Sequence, residues 1–174
     1  QGIYSAPGKA VKEAYDSAGV VANDRGITVW LKGNRVSRNQ IMAIKEESVT
    51  DQKNSLTVCL DNILRHAGIT RNTEYDLAQG KTAIQILEEN MTGVQVLDLS
   101  GCSLDAVLYY VNQDIPVLAI LEDGEAVLVT GFNEFNVVIM EPSTGKLYKK
   151  GMNDATTWFA ENGNHFISYM KIDN

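Results

Sequence analysis

The sequence is poor in the residue types that most often carry chemistry. It contains two cysteines and two histidines, His66 and His165, which are too few for a disulfide scaffold or a tetrahedral zinc site. Basic residues are also scarce, with 15 Lys and Arg against 22 Asp and Glu and a net charge of -7. Because nucleic acids and anionic membranes are bound by basic surfaces, we expect neither as a partner. No apolar run approaches the roughly 18 residues that a membrane-spanning helix needs, so no membrane insertion is predicted.

The remaining composition is that of a folded globular domain. Hydrophobic residues make up 44% and charged residues 21% of the 174 residues, which is enough apolar material for one packed core. The chain begins with Gln1 instead of methionine. This start predicts a processed or trimmed chain.

The N-terminal third is predicted to be an accessory region, residues 1–50. Its first helix is expected from Gly8 to Ser17, and two short apolar runs flank the turn sequence Asn-Asp-Arg-Gly at 23–26, which is typical of a β-hairpin. A polar stretch at 45–53 marks the predicted boundary with a main domain at 51–174.

The main domain changes from a helical to a strand-like pattern along its length. From Asn54 apolar residues recur every three or four positions as far as Gly68, which predicts a helix. Shorter helices are predicted at 73–78, 82–90 and 103–113, the last capped by Ser103. A further short helix, capped by Asn153 or Asp154, is predicted to end near Glu161. Beyond Pro116, β-branched and aliphatic segments alternate with turns up to a closing strand at 165–172. Helices followed by an antiparallel sheet predict an α+β fold.

Two sequence blocks in this domain resemble those of the papain-like C39 peptidase family. The first is the helix from Asn54 to Gly68, with Leu60 and an Ile-Leu pair at the family's spacing. The second is the strand 124–132, followed by Glu-Pro-Ser-Thr-Gly at 141–145, where the family has a Gly-His strand and an Asp/Asn-Pro-x-x-Gly turn. The resemblance covers roughly residues 50–172. It implies a papain-like fold with N-terminal helices packed on a C-terminal antiparallel sheet.

The same register implies that the catalytic set is not intact. It places Ser55 at the nucleophilic cysteine, Glu125 at the histidine and Glu141 at the orienting acid, with Gln52 as the nearest candidate for the oxyanion glutamine. A serine hydroxyl gains little from a helix N-terminus and needs a base, whereas a thiolate is activated there. Glutamate, with a reference pKa of about 4.3, is a weak base at neutral pH. We therefore expect a pseudopeptidase that arose by natural degeneration, with no metal and no cofactor.

A papain-like domain without its nucleophile is expected to retain the family's groove for an extended peptide. The resemblance thus implies that a peptide or protein segment binds beside Ser55, Gly124, Glu125 and Glu141. Together with the missing start methionine, it also implies an extracellular or cell-surface location in a bacterium. The sequence predicts neither the ligand, the parent protein nor the oligomeric state.

Two other functions stay open at this stage. The domain could be an active cysteine or serine hydrolase of the same fold, through Ser55 with Glu125, through Cys102, or through His165. It could instead be a purely structural module of a larger envelope protein, with its cleft filled by its own side chains or by the N-terminal hairpin. Glu125 and Glu141 could pair to bind a metal, although two independent acids are the simpler interpretation.

Three local interpretations bear on these alternatives. Ser55 is expected to be the N-cap of its helix. Cys59 lies on the apolar side of that helix and is expected in the core. Cys102, just ahead of another helix, is expected to be the more exposed thiol, and a disulfide between the two cysteines is left open.

Overall fold

Six helices and eight strands make up the part of the chain described by the computed structural model, residues 6–17, 19–32 and 44–172. The N-terminal part consists of α1 (Pro7–Ser17) and a hairpin of β1 (Val20–Ala22) and β2 (Thr28–Leu31). The remaining elements follow in the order α2 (Ser55–His66), α3 (Glu74–Ala78), α4 (Ala83–Asn90), β3 (Val94–Asp98), α5 (Leu104–Asn112), β4 (Val117–Ile120), β5 (Ala126–Phe132), β6 (Asn136–Glu141), β7 (Lys146–Gly151), α6 (Met152–Glu161) and β8 (Phe166–Lys171). The predicted α+β class is confirmed.

Strands β3 to β8 form one antiparallel sheet in the order β3-β8-β4-β5-β6-β7. Every residue of the central strand β5 is buried, because α2 and α5 both pack against it. A buried strand has no solvent-facing positions, which explains why its sequence is continuously apolar instead of alternating. The turn between β4 and β5 lies at one end of this sheet, and the start of α2 lies at the same end.

Helix α2 forms because its sequence combines an N-cap, an apolar face and a glycine stop. The Asn54 side chain accepts a hydrogen bond from the Thr57 N–H at 2.8 Å, which satisfies one of the free amides of the first turn. The helix ends ahead of Gly68, whose φ of 85° lies in the left-handed region that favours glycine. The expectation that Ser55 is the N-cap is wrong: Asn54 has that role, which leaves the Ser55 hydroxyl available for another contact.

The predicted helix and hairpin of the N-terminal region are both present, and they pack on the main domain. The Trp30 side chain is fully buried, and its Nε1–H donates to the Ala106 carbonyl at 2.9 Å. In the opposite direction, the Tyr110 hydroxyl donates to the Val29 carbonyl at 2.8 Å. The buried side chains of α1 and β2 belong to the same hydrophobic core as those of the sheet. The division at residue 50 into an accessory region and a main domain stays a prediction.

Two further details complete the fold. Helix α6 begins after Gly151, so the expected caps Asn153 and Asp154 lie inside its first turn and that expectation is wrong. Across residues 6–17, 19–32 and 44–172, we find no helix with the length and apolar character needed to cross a membrane.

Candidate functional site

Ser55, which the sequence register predicts at the nucleophile position, holds the helical part of the domain against the sheet. It is the first residue of α2 and is only 3% exposed. Its Oγ accepts a hydrogen bond from the Ala126 N–H at 2.8 Å. A backbone amide at the start of β5 therefore uses the hydroxyl as its acceptor.

Gly124 and Glu125 lie beside this contact in the turn between β4 and β5. The turn is closed by hydrogen bonds from the Leu121 N–H to the Glu125 carbonyl at 2.8 Å and from the Gly124 N–H to the Leu121 carbonyl at 2.9 Å. Gly124 has a φ of 85°, a backbone conformation that a glycine adopts without strain. Since Ala126 follows directly, Gly124 and Glu125 lie within two residues of the backbone amide that donates to Ser55. The Glu125 side chain is half-buried.

Glu141 closes β6 at the same end of the sheet, but its carboxylate is engaged within its own hairpin. It accepts hydrogen bonds from the Thr144 hydroxyl at 3.1 Å and the Tyr148 hydroxyl at 3.3 Å. Burial and then the Glu141 charge raise the pKa of Tyr148 to about 12. In the described part of the chain no hydrogen bond joins Glu141 to Glu125, and no group of three His, Cys, Asp or Glu side chains is placed to hold a metal ion.

A groove of about 390 Å³ opens beside the start of α2, between the segment that precedes the helix and α3. We call it the α2 groove; its lining includes Gln52, Asn54, Thr57, Glu74, Leu77 and Ala78. Gln52, the predicted oxyanion glutamine, is thus an exposed wall of this groove. The sequence predicted the helix α3, but we expected no site residue on it. The acidic residues of its first turn, Glu74 and Asp76, were a signal that it could line a site.

A buried carboxylate fixes the two walls of the α2 groove relative to each other. The Asp61 carboxylate accepts hydrogen bonds from the Lys53 ammonium at 2.9 Å and from the Thr73 N–H and hydroxyl at 2.9 and 2.8 Å. The Asp61 side chain is 1% exposed, and these partners satisfy it where water cannot. Lys53 precedes α2 and Thr73 precedes α3, so Asp61 holds both segments.

Neither cysteine is placed as a nucleophile. Both thiols are free and buried. Burial raises the pKa of Cys59 well above its usual value, and burial followed by the Asp98 charge raises the pKa of Cys102 to about 12. Cys102, expected to be the more exposed thiol, is 1% exposed against 0% for Cys59, so both are buried; its Sγ donates to the Gly8 carbonyl at 3.3 Å.

In the described part of the chain, neither histidine is hydrogen-bonded to the Ser55 hydroxyl. The Nε2 atom of His66 is 2.7 Å from the Asp114 carbonyl oxygen. His165 lines a separate cavity at the start of β8. Within the residues that the structure describes, Ser55 has no hydrogen-bonding contact with an imidazole or a carboxylate that could take its proton. A serine without a positioned base is a poor nucleophile.

Residues of the chain itself lie between α2 and the β6–β7 turn. The Val49 N–H donates to the Pro142 carbonyl at 3.1 Å, and Ser48 lies against Gly145. The Glu47 carboxylate accepts a hydrogen bond from the Asn62 side chain of α2 at 3.2 Å. The polar stretch predicted as a domain boundary is therefore packed on both sides.

Comparison with known proteins supports the fold assignment. The structure is similar to the crystal structure of a protein described as a "putative C39-like peptidase" from Bacillus anthracis, with a TM-score of 0.65 and 15% sequence identity. The match covers 80% of this chain and 100% of that chain. No protein-family model and no curated protein matches the sequence. At this identity the likeness establishes a fold of the papain-like, C39-like peptidase type and nothing finer.

Proposed function

We propose that this domain is a non-catalytic member of the C39-like fold that binds an extended peptide or protein segment. The observation that carries the proposal is the contact between the Ser55 hydroxyl and the Ala126 N–H, 2.8 Å long and buried. A hydroxyl in this position acts as a structural acceptor. Glu125 beside it adds a negative charge where a catalytic site would have to stabilise an oxyanion.

The ligand's proposed place is the α2 groove together with the turn that carries Gly124 and Glu125. Gln52 and Leu77 offer a polar and an apolar contact on opposite walls of the groove, as the recognition of an extended segment requires. Glu141 contributes to this site only if its hydrogen bonds to Thr144 and Tyr148 are exchanged on binding. We also propose, from the resemblance alone, that the domain acts outside the cell or on its surface in a bacterium.

Binding is tested with a library of fluorescent extended peptides, read by polarisation. Ala78→Tyr fills the α2 groove, whereas Gln79→Tyr adds the same side chain at the next exposed position, outside the lining. We expect at least one peptide to bind, with affinity reduced at least tenfold by Ala78→Tyr and unchanged by Gln79→Tyr. Finding no ligand, or an equal effect of both variants, would contradict the proposed site.

The absence of catalysis is tested separately, with covalent probes on the native protein. A fluorophosphonate and iodoacetamide are each incubated with the protein, and the intact mass is measured. We expect no adduct and no cleavage of the peptides that bind. An adduct on Ser55, or on either cysteine under native conditions, would reinstate the hydrolase alternative.

A structural module is the second candidate, and the packing of Ser48 and Val49 against the β6–β7 turn favours it. In this case the chain's own residues occupy part of the space that a ligand would need. Deleting residues 1–50 should then expose apolar surface and destabilise the domain, and the peptide library should yield no ligand. A truncated protein as stable and soluble as the full chain would refute this candidate.

A further inference from the structure

A second cavity opens at the β4–β5 turn and shares no lining residue with the α2 groove. It has a volume of about 380 Å³. Its walls come from α4, from the end of β3, from the β4–β5 turn and from the start of β8. We call it the β8 cavity.

The floor and the rim of the β8 cavity differ in chemistry. Its apolar lining residues are all buried or half-buried and form the floor: Ile84, Ile120, Leu121 and Ile167. Its polar lining residues are all exposed and form the rim: Asp98, Ser100, Glu122 and His165. The cavity therefore offers contact to an aliphatic chain below and to a polar group above.

The rim has a negative character. Two of its side chains, Asp98 and Glu122, are carboxylates, and none of the residues that line the cavity is Lys or Arg. The Asp98 carboxylate is held in place by hydrogen bonds from the Ser100 N–H at 3.0 Å and hydroxyl at 2.6 Å. An oxygen fixed in this way needs little reordering to accept a further hydrogen bond from a ligand.

The side chains of Glu122 and His165 both lie against Gly163. A Cβ added at Gly163 would lie 2.7 Å from the His165 Nε2 and 3.0 Å from the Glu122 Oε1. Because glycine has no side chain, both polar groups have room to project over the same edge of the cavity. The Gly101 N–H donates to the Asn164 carbonyl at 3.0 Å, which joins this edge to the loop that follows Asp98.

We propose that the β8 cavity binds the side chain of a lysine or arginine presented by an extended segment of another protein. The four-carbon stem of a lysine would lie on the isoleucine and leucine floor, and its ammonium would meet the carboxylates of Asp98 and Glu122. A neutral aliphatic chain would use the floor alone, and an acidic side chain would be repelled by the rim. The proposal is independent of ligand binding in the α2 groove, because the two cavities share no lining residue.

The test is an NMR titration of the full chain labelled at its isoleucine δ1 methyl groups. The probes are Nα-acetyl-lysine methylamide and Nα-acetyl-norleucine methylamide, which have the same stem with and without the charge. We expect the methyl signals of Ile84, Ile120 and Ile167 to shift saturably with the lysine probe. Removal of the charge should weaken binding about two- to fivefold, as for a partly exposed ion pair, and 0.5 M NaCl should reduce this preference.

Matched variants assign the preference to the rim. Asp98→Asn combined with Glu122→Gln keeps an oxygen at each position and should make the two probes bind equally. Glu134→Gln combined with Glu161→Gln changes the net charge by the same amount at exposed positions outside the cavity, and should leave the preference for lysine intact. The ¹H–¹⁵N spectrum of each variant checks that it is folded.

Three results would overturn the proposal. They are an absence of saturable shifts with the lysine probe, equal binding of the norleucine probe to the parent protein, and a lysine preference that survives in the folded rim variant. None of these bears on the α2 groove, which is probed by other residues and other ligands.

Discussion

Replacing Ser55 by alanine removes the acceptor of a buried backbone amide. Ser55 is 3% and Ala126 1% exposed, so water cannot replace the lost oxygen at 2.8 Å from the Ala126 nitrogen. Leaving such a donor unsatisfied costs about 1–3 kcal/mol. A loss of about 2 kcal/mol lowers Tm by about 4–8 °C in a chain of this size. Ser55→Cys should give a smaller loss, because sulfur is a weak acceptor that can still approach the amide.

The free energy of unfolding is measured in urea by far-ultraviolet circular dichroism. Ser143→Ala is the matched control, since Ser143 is exposed in the turn after β6, and it should change stability by less than about 0.5 kcal/mol. Hydrogen exchange at the Ala126 amide gives a second readout, and it should become faster in Ser55→Ala than in the parent protein.

A structural role for the Ser55 hydroxyl is refuted if Ser55→Ala unfolds at the same urea concentration as Ser143→Ala. That role is also refuted if the parent protein is labelled by a fluorophosphonate and Ser55→Ala is not, because that result would make the hydroxyl a nucleophile. If the hydroxyl is purely structural, Ser55→Ala is less stable than the parent protein and neither of the two is labelled.

Three further perturbations test other parts of the structure. Trp30→Ala should lower the free energy of unfolding in urea by about 3–5 kcal/mol for the whole domain. Phe135→Ala, at a side chain that is 70% exposed, is the control and should have almost no effect. A local, separate unfolding transition in Trp30→Ala would contradict a shared core. With a pKa of about 12, Cys102 is ionised to about one part in 10⁴ at pH 8, so Ellman's reagent should react with both buried thiols only after denaturant is added. Hydrogen bonds from the Arg71 guanidinium hold the pKa of Asp76 below its usual 3.8, so the stability that this ion pair contributes is present above about pH 4 and is lost below it. The difference in unfolding free energy between the parent and Asp76→Asn should therefore shrink from pH 6 to pH 3, and a constant difference would argue against the pair.

The sequence predicted those features of the fold that depend on local patterns. The apolar spacing from Asn54 to Gly68 is sufficient for α2, because a helix buries one face whatever it packs against. The cap of α5 at Ser103 was also predicted, and its Oγ accepts from the Ala106 N–H at 3.2 Å. Such signals lie within a few residues of each other and need no knowledge of the tertiary structure.

The errors fall where a distant segment decides the environment. Cys102 follows a glycine and precedes a polar residue, which suggests exposure, but α1 covers it from 94 residues away through the Gly8 carbonyl. Ser55 and Asn54 are both good N-cap residues, and the difference between them is the Ala126 amide, 71 positions further along. The α2 groove could not be predicted from the sequence, because it depends on how α3 packs beside the segment that precedes α2.

The contacts of the N-terminal hairpin also affect how the protein can fold during synthesis. Trp30 and Val29 leave the ribosome before their partners Ala106 and Tyr110, which follow 76 and 81 positions later. Strand β3 can likewise pair with β8 only after β4 to β7 have been made. The nascent hairpin must therefore keep its indole ring in water, or in contact with a chaperone, until the α5 residues that cover it have been made. Nascent chains arrested before residue 104 should consequently be more sensitive to proteolysis and aggregation than chains arrested after β8.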